Sequence, residues 1–138
     1  GLAKEFNLPA IIHSREAHDD VLEILDEAGP GKKGVIHCFS GSYETAVKFI
    51  DRGYMLGIGG VITFPNAKDL REAVSKLPLE CLVLETDAPW LAPQRFRGKR
   101  NEPAFLVHIA AAIAEIKGIE PEQAAQATAC NAERMFGI

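Results

Sequence analysis

The sequence lacks long hydrophobic runs and an excess of positive charge. Its longest apolar stretches are much shorter than the roughly 18 residues that a membrane span requires. The first residues, GLAKEFNLPAII, have neither the basic start nor the long apolar core of a signal peptide. The formal net charge is −4, so a polyanionic ligand must be met by a local basic patch or by bound cations. We therefore expect a cytoplasmic protein with no membrane contact.

Cysteine is also scarce. The three cysteines, Cys38, Cys81 and Cys130, are odd in number, widely spaced and form no C-x-x-C pair. This pattern argues against a disulfide framework and against a thiolate zinc site, and we interpret the three as reduced packing residues. The length and the balance of apolar and charged residues are typical of one globular domain.

Short apolar runs alternate with stretches of helical periodicity. The runs predict four strands, at Pro9–Ile12, Val35–Phe39, Tyr54–Ile58 and Cys81–Leu84. The periodic stretches predict five helices, at Arg15–Ala28, Tyr43–Arg52, Ala67–Leu77, Glu102–Lys117 and Pro121–Phe136. No strand separates the last two helices, which form a helical C-terminal tail.

The predicted strands are almost continuously apolar, as expected for a parallel sheet that is covered on both faces. This order indicates an α/β fold of the (β/α) barrel type. A closed barrel needs eight strands and typically about 250 residues, whereas this chain has four strands. We therefore expect residues 1–138 to form a single partial domain, half of a (β/α)₈ TIM-like barrel.

Polar side chains follow three of the four predicted strands. His13, His37 and Asp87 come at or just after strand ends, and Gly57 to Gly60 end the third strand. In parallel α/β architectures these ends share one rim, where chemistry gathers. Imidazole and carboxylate groups are common ligands of divalent cations, and a cation would offset the cost of a buried, unpaired Asp87. The pattern predicts a metal site at this rim.

Each of these residues also has an ordinary structural interpretation. A single histidine at a strand end is more often a hydrogen-bonded residue than a ligand. His18 and His108 lie within helical patterns, and we interpret both as packing residues. Glu85 could form a salt bridge within the rim, and Cys38, which alternates with His37, is expected to pack against the helices.

Five segments together carry a family resemblance: "PAIIHSREAHDDVLEIL", "GVIHCFSGSYETA", "GYMLGIGGVITFPNA", "LVLETDAPWLAP" and "FRGKRNEPAFLVHIAAAIAEIKGI". They resemble, in order, the second half of a TatD-type metal-dependent deoxyribonuclease, and the resemblance covers essentially all 138 residues. It implies a (β/α)₈ barrel of the metal-dependent hydrolase superfamily, with a divalent metal centre at the C-terminal rim.

The resemblance also implies roles for single residues. His13 resembles the fifth-strand metal ligand, His37 the sixth-strand ligand and Asp87 the eighth-strand ligand, which also orients or deprotonates the attacking water. The family's first-strand H-x-H pair and fourth-strand glutamate have no counterpart. We therefore expect that the N-terminal half-barrel is absent, that the isolated chain is inactive, and that it pairs with a partner fragment or with itself.

Phosphodiester hydrolysis by such a centre uses two divalent ions per complete barrel, Mg²⁺ or Mn²⁺, with Zn²⁺ as an alternative. The ions lower the pKa of bound water and neutralise charge on the phosphate. We predict that Asp87 accepts the proton of the water, and that Glu85 orients a ligand or the water. Asp87 and Glu85 are thus the predicted catalytic residues, and His13, His37 and Asp87 the predicted metal ligands.

Substrate-binding candidates lie in the loops that follow the strands. Arg97, Lys99 and Arg100 form a basic cluster after the Asp87 strand and could contact phosphates, although a solvated loop is the alternative. Weaker candidates are Ser14, Arg15 and Ser40. Trp90 and Phe96 could stack on an unpaired base or belong to the core.

The predicted function is that of a deoxyribonuclease acting on DNA ends or single strands. Two alternatives remain open. One is a deacylase-type hydrolase of the same superfamily that acts on aminoacyl-tRNA. The other is a non-catalytic half-barrel fragment that needs its other half.

Overall fold

The computed structural model describes residues 1–29 and 33–138. Its centre is one sheet of four parallel strands, which lie side by side in chain order. The strands are β1 (Ala10–His13), β2 (Gly34–His37), β3 (Met55–Ile58) and β4 (Leu82–Leu84). The predicted number, order and parallel orientation of the strands are confirmed.

In the described residues, six α-helices accompany the sheet: α1 (Leu2–Glu5), α2 (His18–Ala28), α3 (Tyr43–Asp51), α4 (Lys68–Lys76), α5 (Leu106–Lys117) and α6 (Pro121–Phe136). Short 3₁₀ turns lie at Gly60–Thr63, Leu79–Cys81, Gln94–Phe96 and Pro103–Phe105. The five predicted helices are confirmed, and the short α1 was not predicted.

Helix ends differ from the prediction where the backbone leaves helical geometry. Glu16 has a φ of 53°, a left-handed conformation that a helix interior excludes, so α2 begins at His18 and not at Arg15. Before α5 the chain first forms the 3₁₀ turn at Pro103–Phe105. The predicted N-cap of α3 is confirmed, because the Thr45 N–H donates to Ser42 Oγ at 3.3 Å.

The two faces of the sheet are covered unequally. Ile36, Leu56, Ile58 and Leu82 are fully buried in the core with helix residues such as Phe49, Val74 and Ile113. The opposite face carries Ile11, which lies in register with Val35 and is 67% exposed. This face holds the side chains that end the strands, His13 and His37 among them.

The three cysteines are free. Cys38 and Cys81 are half-buried, but Cys130 is exposed on α6, so its interpretation as a packing residue is wrong. Within residues 1–29 and 33–138, no helix combines the length and the apolar character needed to cross a bilayer.

Candidate metal centre

The two strand-end histidines are direct neighbours in the sheet. His13 ends β1 and His37 ends β2, and the strand register places them opposite each other. Their ring centroids are 5.7 Å apart. The parallel register therefore brings together two imidazoles that are 24 residues apart in the sequence.

His37 contacts both predicted carboxylates. Its Nδ1 lies 3.0 Å from Glu85 Oε2, and its Nε2 lies 3.2 Å from Asp87 Oδ1. The side chains are 24%, 17% and 30% exposed for His37, Glu85 and Asp87, respectively. A partly buried cluster of one imidazole and two carboxylates thus forms where β2 and β4 end.

Glu85 is fixed by neighbours on two strands. The backbone N–H of Cys38, just after β2, donates to Glu85 Oε1 at 2.7 Å. On β3, a side chain at Gly57 would not fit, because its Cβ would lie 2.2 Å from Glu85 Oε2. The carboxylate therefore occupies the space that the missing side chain of Gly57 leaves open.

Burial shifts two pKa values in this cluster. The pKa of Glu85 is raised, mainly because the carboxyl group is buried. The His37 ring and the Cys38 N–H oppose this rise, and the nearby Asp87 charge adds to it. Burial, followed by the charges of Glu85 and Asp87, raises the pKa of the Cys38 thiol to about 11. Cys38 lies just after β2 with a φ of 51°, and its packing against the helices stays a prediction.

Asp87 is presented by a loop that a buried asparagine organises. Asp87 has a φ of 57°, which turns the chain sharply after β4. Asn101, 2% exposed, donates from Nδ2 to the carbonyl oxygens of Thr86 and Trp90, at 2.6 Å each. Its Oδ1 accepts from the N–H of Glu102 at 2.9 Å. All of its strong hydrogen-bonding groups are used to hold this loop.

The donor atoms at this rim already contact one another. In the described part of the chain, no group of three or more His, Cys, Asp or Glu side chains stands ready to hold a metal ion. At His37 the reason is visible, since both ring nitrogens already face carboxylates. A neutral imidazole has only one N–H, so one of these contacts calls for an added proton or a cation.

The His37 Nε2–Asp87 Oδ1 pair suits a cation. These two atoms lie 3.2 Å apart, and imidazole nitrogen and carboxylate oxygen are common ligands of divalent cations, so both would hold the same ion. Glu85 would then accept the single N–H of His37 at Nδ1, an arrangement common behind histidine ligands. The residues present fit a divalent cation in their chemistry.

The structure separates the substrate-binding candidates into two groups. Arg15 follows β1 and its charge opposes the rise in the pKa of Cys38, and Ser40 is exposed just after β2. Arg97 and Arg100 instead line a groove together with Trp90. Phe96 stacks on Phe105 with the ring centroids 4.1 Å apart, so it is a packing residue and not a base-stacking candidate.

Sequence reasoning missed Asn101 and the steric role of Gly57. The only local signal for Asn101 was its place before Glu102 and Pro103, at a predicted helix start. Nothing in the spacing revealed that its amide reaches back to Thr86. His18, predicted to be a packing residue, does pack against Phe39 and accepts or donates one hydrogen bond with Ser14 Oγ at 2.7 Å.

A half-barrel with histidines and carboxylates at its C-terminal rim defines the class of metal-dependent (β/α) hydrolases. The family model for TatD related DNase matches residues 1–137, and the chain belongs to this family. The uncharacterized metal-dependent hydrolase YabD of Bacillus subtilis is 47% identical over 138 residues. The uncharacterized metal-dependent hydrolase YcfH of Escherichia coli K12 is 43% identical over 138 residues.

Solved structures agree with this assignment. The crystal structure of YjjV, a TatD homologue from Escherichia coli, superposes with a TM-score of 0.94 at 39% identity, covering 99% of this chain and 53% of that one. A TatD family hydrolase from Entamoeba histolytica shares the fold, with a TM-score of 0.85 at 23% identity. YabD and YcfH are covered over 54% and 52% of their lengths, and 99% of this chain is matched in each. The chain thus spans about half the length of these relatives.

Proposed function

We propose that this chain supplies part of the active site of a divalent-metal-dependent deoxyribonuclease that cleaves phosphodiester bonds at DNA ends or in single strands. The observation that supports the proposal is the cluster of His37, Glu85 and Asp87 beside His13 at one rim of the sheet. The names of the relatives, metal-dependent hydrolases, agree with it. We retain Mg²⁺ or Mn²⁺ as the expected ions, two in a complete barrel, and the cytoplasm as the expected location.

His13, His37 and Asp87 would hold the metal. A bound divalent ion supplies an acidified water and neutralises charge on the phosphate. With a metal bound, Glu85 would accept the N–H of His37 at Nδ1, and the lone pair of Nε2, the nitrogen that faces Asp87, would be available to the ion. Glu85 is therefore a positioning residue for His37 in this mechanism.

Asp87 is the group that takes the proton of the attacking water. Its carboxylate is more exposed than that of Glu85. It lies on a turn that Asn101 stabilises by a hydrogen bond to the Thr86 carbonyl. Glu85 is the less suitable base, because the Cys38 N–H and the Gly57 surface confine its oxygens. We expect Arg15 and Ser40 to contact substrate near the cluster, and Arg97 and Arg100 to contact it farther along the loop.

We further propose that the chain works in a complete barrel, joined to the other half or to a second copy. β1 and β4 are the edge strands of the sheet, and open edges favour pairing. The exposed Ile11 on the less covered face would be buried by such a partner. Light scattering and native mass spectrometry test this proposal, and a stable monomer with full activity would contradict it.

The activity test uses the full-length protein on labelled single-stranded DNA and on aminoacyl-tRNA, each with Mg²⁺, Mn²⁺ or Zn²⁺. We expect cleavage of DNA that EDTA abolishes and that Asp87→Asn reduces to background. Arg95→Gln, a change of an exposed loop cation outside the cluster, serves as the matched control and should remain active. Release of the amino acid without DNA cleavage would replace the proposal with the deacylase alternative, and no reaction in any metal would reject both.

A further inference from the structure

A groove of about 550 Å³ lies beside the loop that follows β4. Its lining combines two aromatic side chains, Phe64 and Trp90, with three cations, Arg97, Lys99 and Arg100. The metal cluster described above contributes no side chain to this lining. The groove is therefore a separate feature of the same loop.

The walls of the groove are held by contacts within the chain. The Asn101 amide binds the Trp90 carbonyl, and the N–H of Gln94 donates to Thr63 Oγ1 at 2.8 Å. Gly60 allows the Leu91 carbonyl to come close, since a Cβ there would lie 2.2 Å from that oxygen. The segments on both sides of the groove are thus tied to the body of the half-barrel.

The cations of the groove are available to a ligand. The Arg97 guanidinium carbon lies 4.4 Å from the centre of the Phe64 ring, a cation–π contact that does not use the N–H groups with which arginine binds phosphate. Among residues 1–29 and 33–138, none of Arg97, Lys99 and Arg100 forms an ion pair. In a chain with a net charge of −4, this is a local concentration of positive charge.

Trp90 is 71% exposed and is the only tryptophan of the chain. A single exposed apolar residue is ordinary, but this one lies in a groove with three unpaired cations. An exposed aromatic face next to cations is the arrangement by which proteins bind single-stranded nucleic acid, with a base on the ring and the backbone on the positive groups.

We propose that this groove binds an unpaired nucleotide of a nucleic-acid strand, with the base stacked on Trp90 and the adjoining phosphates bound by Arg97, Lys99 and Arg100. The biological meaning of this site rests on the proposed nuclease function. The backbone N–H of Trp90 donates to the Asp87 carbonyl at 2.9 Å, so one tight turn joins the two residues, and their Cα atoms are at most about 11 Å apart. A strand held on Trp90 would thus lie within reach of the Asp87 carboxylate.

The test measures Trp90 fluorescence in EDTA, so that binding is read without metal or cleavage. The probe is an oligothymidylate of about six nucleotides, with the oligouridylate, an abasic phosphodiester of equal length and a hexaglutamate peptide as comparisons. The Trp90→Phe variant serves as the blank, because it lacks the Trp90 signal. Subtracting its signal also allows the titration to be done in the full-length protein. Arg97→Gln and Arg95→Gln are compared as matched single-charge losses, one inside the groove and one outside it.

We expect both oligonucleotides to quench Trp90, and the abasic strand to bind more weakly without the same quenching. By fluorescence anisotropy of a labelled strand, Trp90→Ala should weaken binding about 5- to 150-fold, which corresponds to about 1–3 kcal/mol for one base–aromatic stack. Arg97→Gln should weaken binding and lower the slope of log affinity against log salt by about 0.7. Arg95→Gln should change neither.

Three results would overturn the proposal: no quenching by either oligonucleotide, equal losses in Arg97→Gln and Arg95→Gln, or equally tight binding of hexaglutamate, which would indicate an acidic peptide site. Tighter binding of either the oligothymidylate or the oligouridylate would support the site and indicate whether its ligand is DNA or RNA. Quenching without DNA cleavage in any metal would contradict the proposed nuclease function and leave the groove assignment intact. Cleavage without quenching would contradict the groove assignment and leave the nuclease function intact.

Discussion

Replacing Gly57 with alanine tests the account of how Glu85 is held. The added Cβ would lie 2.2 Å from Glu85 Oε2 and 2.9 Å from its carboxyl carbon, whereas ordinary contacts begin at 3.4 Å. The carboxylate must therefore move by about 1.2 Å, the difference between 3.4 Å and 2.2 Å. That displacement breaks the 2.7 Å hydrogen bond from the Cys38 N–H or the 3.0 Å contact with His37.

Hydrogen bonds to charged groups contribute about 1.5–3 kcal/mol each. Loss of one and weakening of the other, offset in part by new contact with water, gives an expected decrease of about 2–4 kcal/mol in the free energy of unfolding. Backbone strain adds nothing, because the φ of Gly57 is not positive. We expect the full-length enzyme to lose most activity as well, since His37 loses its fixed orientation.

Urea unfolding in EDTA measures this effect, with Gly59→Ala as the matched control. Gly59 faces the same glutamate, but a Cβ there would lie 3.7 Å from Glu85 Oε1, an ordinary contact. In the Glu85→Ala background the methyl group has no carboxylate to displace, so Gly57→Ala should cost at least about 2 kcal/mol less than in the parent. Equal stability of the two alanine variants, or strict additivity with Glu85→Ala, would refute the reasoning.

Three further changes test other parts of the structure. Asp87→Asn should abolish one metal-binding event in calorimetry of the full-length enzyme and leave melting in chelator unchanged or improved; unchanged metal binding would contradict the ligand role. Asn101→Asp keeps the shape but removes both N–H donors to the Thr86 and Trp90 carbonyls, so urea unfolding should show a loss of about 2–4 kcal/mol, whereas a loss no greater than that of Glu102→Gln would argue against the clamp. Burial lowers the pKa of His18 below its ordinary value of about 6.5, and the Asp19 charge opposes this shift in part. The fold therefore favours the neutral ring, and stability falls as the pH drops from about 6.5 through the lowered pKa. His18→Gln should accordingly show a smaller fall in urea midpoint between about pH 7.5 and about pH 5.5.

The strand-end histidines were predictable because their placement depends on local pattern and one topological rule. Near-continuous apolar runs predicted parallel strands, and parallel strands bring their carboxyl ends to one rim. The register of β1 and β2 then places His13 beside His37, as the sequence argument required. The helices were predictable for the same reason, since periodicity and caps such as Ser42 are local signals.

The loop after β4 was less predictable, because its geometry depends on contacts across long sequence distances. The positive φ of Asp87 and Leu91 carries no sequence signature in non-glycine residues. The amide of Asn101 reaches Thr86, 15 residues earlier, and Glu85 is confined by Gly57 on another strand. For Phe96 the sequence left base stacking and core packing open, and the stack with Phe105 is a tertiary contact that periodicity cannot reveal.

Asn101 connects the candidate metal centre with the groove at Trp90. Its amide holds the Thr86 carbonyl next to Asp87 and the Trp90 carbonyl at the groove, so a change in its position would move both sites together. A polyanionic strand would otherwise be repelled by Glu85 and Asp87, in a chain with a net charge of −4. If the proposed function is correct, three cations within about a dozen residues of Asp87, unpaired among the described residues, would give such a strand a place to bind while its phosphate approaches the carboxylates. The fixed loop would then explain how an acidic protein brings DNA to an acidic site.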